Sequence, residues 1–137
     1  MALSQSLKFS PVIVEKYVTL PVVSGTTVGP AIPAGCVVVS AGIEFVTAPG
    51  SAGTSSTVAV GNGVTANLAA VTMQAQAAGT ILGGVVPSFN AAADTIDAVM
   101  VVSGAGLVAA DARIWAVVVN VNECTKEATE VARDQLA

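Results

Sequence analysis

"DAVMVVSGAGLVAADARIWAVVVNVNEC", residues 97–124, holds two valine-rich runs parted by a bridge of small residues. It can be read as a membrane hairpin, as the buried heart of an enzyme, or as two strands covered on both faces. In the second run, Ile114, Ala116, Val118 and Asn120 fall on one face of an extended chain, and Arg113, Trp115, Val117, Val119 and Val121 on the other. Both faces are largely apolar, the pattern of a strand buried on both sides. The simplest arrangement makes the two runs neighbouring antiparallel strands.

The membrane reading fails on continuity. A spanning helix needs about 20 consecutive apolar residues. The best candidate, Ala98 to Val121, is broken by Ser103, Gly104 and Gly106 and then by Asp111 and Arg113. The uncharged stretch from Tyr17 to Ile43 is interrupted by Pro21, Gly25, Gly29, Pro30, Pro33 and Gly35. The opening "MALSQSLKFS" has neither the charged start nor the apolar core of a secretory signal. The expectation is a chain outside the membrane, made in a reducing cytosol. There Cys36 and Cys124, which could in principle pair, more often stay free and buried.

The rest of the chain extends the strand reading. "PVIVEKYVTLPVV" (Pro11–Val23) alternates, with Val12, Val14, Lys16, Val18 and Leu20 on one face and Ile13, Glu15, Tyr17 and Thr19 on the other. A link rich in Gly and Pro follows, and then "CVVVSAGIEFVTA" (Cys36–Ala48) reads as a long strand with Gly42 as a bulge or bend. "STVAVGNG" ends a short strand on an Asn-Gly turn. Residues 66–78, "ANLAAVTMQAQAA", are open between a short helix and an irregular crossover. "TILGGVVPSF" is a short edge strand broken by Gly83, Gly84 and Pro87. Six or seven strands with Gly/Pro turns and no βα alternation predict an all-β, antiparallel sandwich of jelly-roll-like class. The boundaries are an N-terminal arm over 1–10, the sandwich over 11–121, and a charged C-terminal arm over 122–137.

Composition narrows function. The chain has 137 residues, 53% of them apolar but only 4% aromatic, so its core is built of Val, Ala, Ile and Leu. Only 10% are charged, against about a quarter in ordinary globular proteins. None lies between Phe45 and Ala93. A surface so poor in charge is weakly protected against association, so much of it is expected to be covered by partners. The net charge of −4 and the scattering of Lys8, Lys16, Arg113, Lys126 and Arg133 argue against nucleic acid.

Catalytic chemistry finds little material. There is no His, which removes the commonest general base and most catalytic zinc sites. "GNG" at Gly61–Gly63 is a turn and not a phosphate loop. Asp94 and Asp97 could hold calcium or act as acid and base, but an odd step along a strand sends them to opposite faces. A polar strand entry is the plainer reading. Glu44, alone in an apolar strand, is placed to pair with Arg113 across the sheet. Trp115 and Tyr17 could bind a sugar ring, though a lone Trp in a valine strand is usually core. No cofactor, no metal and no enzymatic activity are expected.

"IPAGCVVVSAGIEF", "TVAVGNGVTANLAA" with its following "AAGTIL", and "DTIDAVMVVSGAG…ARIWAVVVNV" together span about Thr26–Val121. In these stretches the chain resembles a family of small β-sandwich proteins of tailed bacteriophages that decorate or cement the capsid. The resemblance implies a homotrimer on the outer capsid surface of the virion, clamping neighbouring subunits of the major capsid protein. Subunit or capsid contacts would then come from Ile32, Val37, Val39, Ile114, Trp115 and Val117. Two rivals stand beside it: a phage tail, head-fibre or receptor-binding module reading a host glycan, and a carbohydrate- or calcium-binding domain of cellular origin.

Overall fold

The structure, a computed structural model, describes residues 11–50, 56–74 and 76–121. The two arms expected at the termini, Cys124 with them, lie outside the described residues.

Eleven strands follow in order: β1 (Val12–Leu20), β2 (Gly25–Thr27), β3 (Ala31–Ile32), β4 (Cys36–Phe45), β5 (Thr57–Gly61), β6 (Ala66–Thr72), β7 (Ile81–Gly84), β8 (Ser88–Asn90), β9 (Asp94–Thr95), β10 (Asp97–Val101) and β11 (Ala110–Asn120). A five-stranded sheet runs β1-β11-β4-β7, with β8 also paired to β4. A four-stranded sheet runs β2-β10-β5-β6, and β3 pairs with β9 apart from both. Every pairing between these strands is antiparallel. The all-β antiparallel architecture expected from the alternating valine runs is what the chain adopts.

One hydrophobic cluster draws on both sheets. Val38, Ala41, Ile43 and Phe45 of β4 and Ala112, Ile114, Ala116 and Val118 of β11 join Val58 and Val60 of β5, Leu68 of β6, and Ala98 and Met100 of β10. The alanines of β11 let larger neighbours such as Phe45 and Ile43 fill the space, as close packing requires. β1 and β4 flank β11 along nearly its whole length.

The two runs of residues 97–124 are not neighbouring strands. β10 lies in the four-stranded sheet and β11 in the five-stranded one. The bridge between them, residues 102–109, is too long for a tight hairpin and crosses the sandwich instead. Gly104 and Gly106 make that crossing at φ 72° and 99°, values that side chains resist. Nor are both strands covered on both faces. β10 buries Ala98 and Met100 but exposes Val99 and Val101, and the outer residues of β11 are half-buried.

Two further expectations change. Gly42 sits in regular register between Trp115 and Gly83. The irregularity of β4 lies at Val39, where Ser40 pairs with Val117 and Val38 with Val118. That extra residue switches the buried positions from even (Cys36, Val38) to odd (Ala41, Ile43, Phe45). Residues 66–72 are strand β6, neither helix nor crossover. Pairing with β5 and burial of Asn67 and Leu68 override the helical propensity of the alanines. The Asn-Gly turn behaves as read, with Asn62 Oδ1 accepting the backbone N–H groups of Val64 and Thr65 at 3.0 and 2.8 Å. The Gly/Pro link over 24–35 also carries the short strands β2 and β3, too brief to show a period.

Candidate interaction surface

Strand alternation fixes what the five-stranded sheet shows to the outside. When Ile43, Ile114 and Ala116 point into the core, their neighbours point out, and the antiparallel register sets those neighbours in rows. One row is Tyr17, Arg113, Glu44 and Ile81, crossing β1, β11, β4 and β7. The next is Glu15, Trp115, Gly42 and Gly83. Ile13, Val117 and Ser40 follow, and then Val119, Val37 and Phe89 where β8 takes over the edge. Ile13 is 65% exposed, Tyr17 66%, Ile81 57% and Phe89 55%. This broad face is mostly apolar.

Its polar centre is a three-strand ion cluster. Arg113 Nη1 donates to Glu15 Oε2 at 2.6 Å and Arg113 Nε to Glu44 Oε1 at 3.0 Å. The bond to Glu15 pushes the guanidinium still further up, burial opposes it, and the bond and charge of Glu44 add a smaller upward push. The cross-sheet partner expected for Arg113 is therefore present. Sequence reasoning missed its second partner, Glu15. Alternation had put Glu15 on the outer face of β1, but nothing local said that β1 would lie beside β11. At the end of the face Asp111 accepts the Thr19 hydroxyl at 3.0 Å.

Trp115 is not a core residue. It is half-buried on the outer face, with its ring over the two glycines of its own row. A Cβ built on Gly83 would lie 2.7 Å from the indole Cζ2. The glycines are the niche in which the indole rests, and among the described residues its Nε1 has no hydrogen-bond partner.

The six residues expected to make contacts divide. Ile32 and Ile114 are buried within the chain itself. Val37, Trp115 and Val117 are half-buried on the outer face, and Val39 is exposed at the bulge. Ile13, Tyr17, Ile81 and Phe89 share that face and were missed. Phe89 had one signal, a lone aromatic between Pro87 and Asn90 in a segment read as an edge.

The acidic pair does structural work. Asp97 Oδ1 accepts the Gly29 N–H at 3.2 Å, while Asp94 Oδ1 accepts the N–H of Thr95 at 2.8 Å. Among the described residues no group of three or more His, Cys, Asp or Glu side chains could hold a metal ion. No helix of the described residues is long and apolar enough to cross a membrane. The outer side of the four-stranded sheet presents Thr57, Ala59, Val99 and Val101, half-buried or exposed. Those four are small and uncharged.

No protein-family model matches the chain, and no curated protein matches it. Chains of solved structures do, among them two from phage capsids. A chain of the cyanophage Pam1 capsid asymmetric unit superposes with a TM-score of 0.63 at 14% identity, over 80% of this chain and 84% of that one. A chain of the acidic stable capsid structure of Helicobacter pylori bacteriophage KHP30 superposes with a TM-score of 0.50 at 15% identity, over 79% of this chain and 91% of that one. The likeness is one of fold.

Proposed function

We propose that this chain is a structural, non-enzymatic virion protein of a tailed bacteriophage. It decorates the outer capsid surface as a homotrimer and cements the shell by bridging major capsid subunits. The observation that carries this reading is the outer face of the five-stranded sheet. Ile13, Tyr17, Ile81 and Phe89 stand exposed around the half-buried Trp115, Val117 and Val37, in a chain with only 10% charged residues. Patches of that kind mark association surfaces. The fold points the same way, since two matching chains come from phage capsid structures.

Size is consistent with docking. Outer positions from Asp111 to Val119 on β11, crossed by four strand positions, outline a face of roughly 27 by 19 Å, about 500 Å² in plan. Protruding side chains bring this towards the roughly 800 Å² per partner of a specific interface. Many such contacts repeated over a shell sum to a strong clamp even when each is weak. Around Thr57, Ala59, Val99 and Val101 the outer side of the four-stranded sheet is small and uncharged, its one carboxylate in β10, Asp97, accepting the Gly29 N–H, and copies of the chain meet there at least desolvation cost.

Co-expression with the major capsid protein of the same phage, followed by sedimentation of the shells, tests the proposal. The protein is expected to travel with the shells in a fixed ratio. Recovery of all of it in the supernatant would refute the reading.

A further inference from the structure

The outer face of the five-stranded sheet has two unlike halves. Around Val119, Val37, Phe89, Val117 and Ile13 it has no ionised group among the described residues. The half nearer Asp111 holds three carboxylates, Glu15, Glu44 and Asp111, and one guanidinium, Arg113. Three negative charges against one positive leave this half at −2 among the described residues. It cannot neutralise itself: Arg113 is already shared by two carboxylates at 2.6 and 3.0 Å. Lys16, the other described cation, pairs in register with the core residue Ile114 and so points to the opposite side of β1. There it lines a groove with Val28, Gly29 and Pro30.

Covering such a face with apolar surface alone would desolvate carboxylates without compensation, which costs more than the apolar contact returns. The same face of a second copy does no better, because it brings its own net negative charge. Building on the function proposed above, we propose that this face docks on the major capsid protein, at a site that is apolar at one side and carries lysine or arginine at the other. The basic side chains reach Glu15 and Asp111. Val117, Val37 and Phe89 meet the apolar part. Charge sets the register of docking and apolar burial holds it, the usual division of labour at an interface.

The test uses full-length protein and empty shells of the major capsid protein of the same phage. Occupancy is read after sedimentation, and native mass by light scattering, for the wild type, for the reversal pair Glu15→Lys with Asp111→Lys, and for the neutral pair Glu15→Gln with Asp111→Asn. The reversal leaves Arg113 its bond to Glu44. The neutral pair keeps side-chain shape, which guards against a misfolding explanation. Wild-type occupancy is expected to fall about ten-fold between roughly 0.05 and 0.5 M NaCl. The reversal pair is expected to lose about ten-fold or more at low salt with native mass unchanged, the neutral pair less. Wild-type occupancy by the reversal pair would overturn this inference and leave the decoration reading standing. A changed native mass in the reversal pair would also overturn it, and would give the face to a second copy. No decoration by the wild type itself would overturn both, and glycan binding through Trp115 and Tyr17 would then assign the face to a sugar.

Discussion

Trp115 rests on Gly42 and Gly83, and one methyl group is enough to disturb it. A Cβ at Gly83 would come within 2.7 and 2.8 Å of the indole Cζ2 and Cη2 atoms, with the Ala41 carbonyl oxygen next, at 3.9 Å. Gly83→Ala is therefore expected to lift the ring, cost about 1–3 kcal/mol of stability and shift the tryptophan emission to the red. Gly42→Ala is worse, because its Cβ also collides with the Leu82 carbonyl oxygen. Thermal melts with fluorescence check both, and an unchanged spectrum in Gly83→Ala would contradict the seating described. Cys36 is a second residue-scale case. It is 2% exposed, and burial pushes its thiol up. Its folded pKa is raised, so the folded state holds the proton longer than the unfolded chain. That stabilisation is complete below the ordinary thiol range, about 8.5, and is lost as pH rises through the folded value. The native protein is expected to resist a thiol reagent at Cys36 by at least about ten-fold relative to the unfolded chain. Its denaturation midpoint should decline above that range, and Cys36→Ala should flatten that decline.

At the scale of elements, the bulge of β4 makes a sharper prediction. Val39 is the extra residue opposite the Val117/Val118 step. Deleting it joins Val38 to Ser40 while Val38 still points in and Ser40 out. The deletion should therefore fold, at a cost below about 1.5 kcal/mol. Deleting Val117 instead makes the buried Ala116 and Val118 adjacent, so part of β11 turns its core side outward. More than about 3 kcal/mol should be lost. Chemical denaturation separates the two cases. The strands containing these residues were legible in sequence because valine alternation and Gly/Pro punctuation are local signals. The bulge was not. The even-to-odd switch occurs inside the continuous run "CVVVSAGIEF", where Cys36 to Val39 are all apolar; the outward polar residues Ser40 and Glu44 both come after the switch, so none marks the outward side before it. Residues 66–72 stayed ambiguous for a similar reason, since alanine accepts either conformation and the decision comes from pairing with β5. Which sheet receives β10 depends on the path of residues 102–109 across the sandwich, a tertiary choice with no periodic trace.

For the whole molecule, the candidate face was visible only in outline. Val37, Val39, Trp115 and Val117 could be named as contact candidates only together with Ile32 and Ile114, which lie in the core. Ile13, Tyr17, Ile81 and Phe89 joined them only once β1 and the β7–β8 edge were set beside β11 and β4. The scarcity of charge was the better guide, because it concerns the whole surface and needs no topology. Four strands, β5 to β8, come from the stretch without a single charged residue. Of the five charged residues in the strands of the five-stranded sheet, all but Lys16 lie towards one end of one face. A surface organised in this way suits repeated docking on a lattice more than free diffusion as a monomer. Electron cryomicroscopy of shells assembled from the same phage's major capsid protein, with and without this chain, tests that account most directly. The account predicts added density on the outer surface at three-fold and quasi-three-fold positions, three copies to each, with the five-stranded sheet turned towards the shell. Identical maps with and without the protein would contradict it.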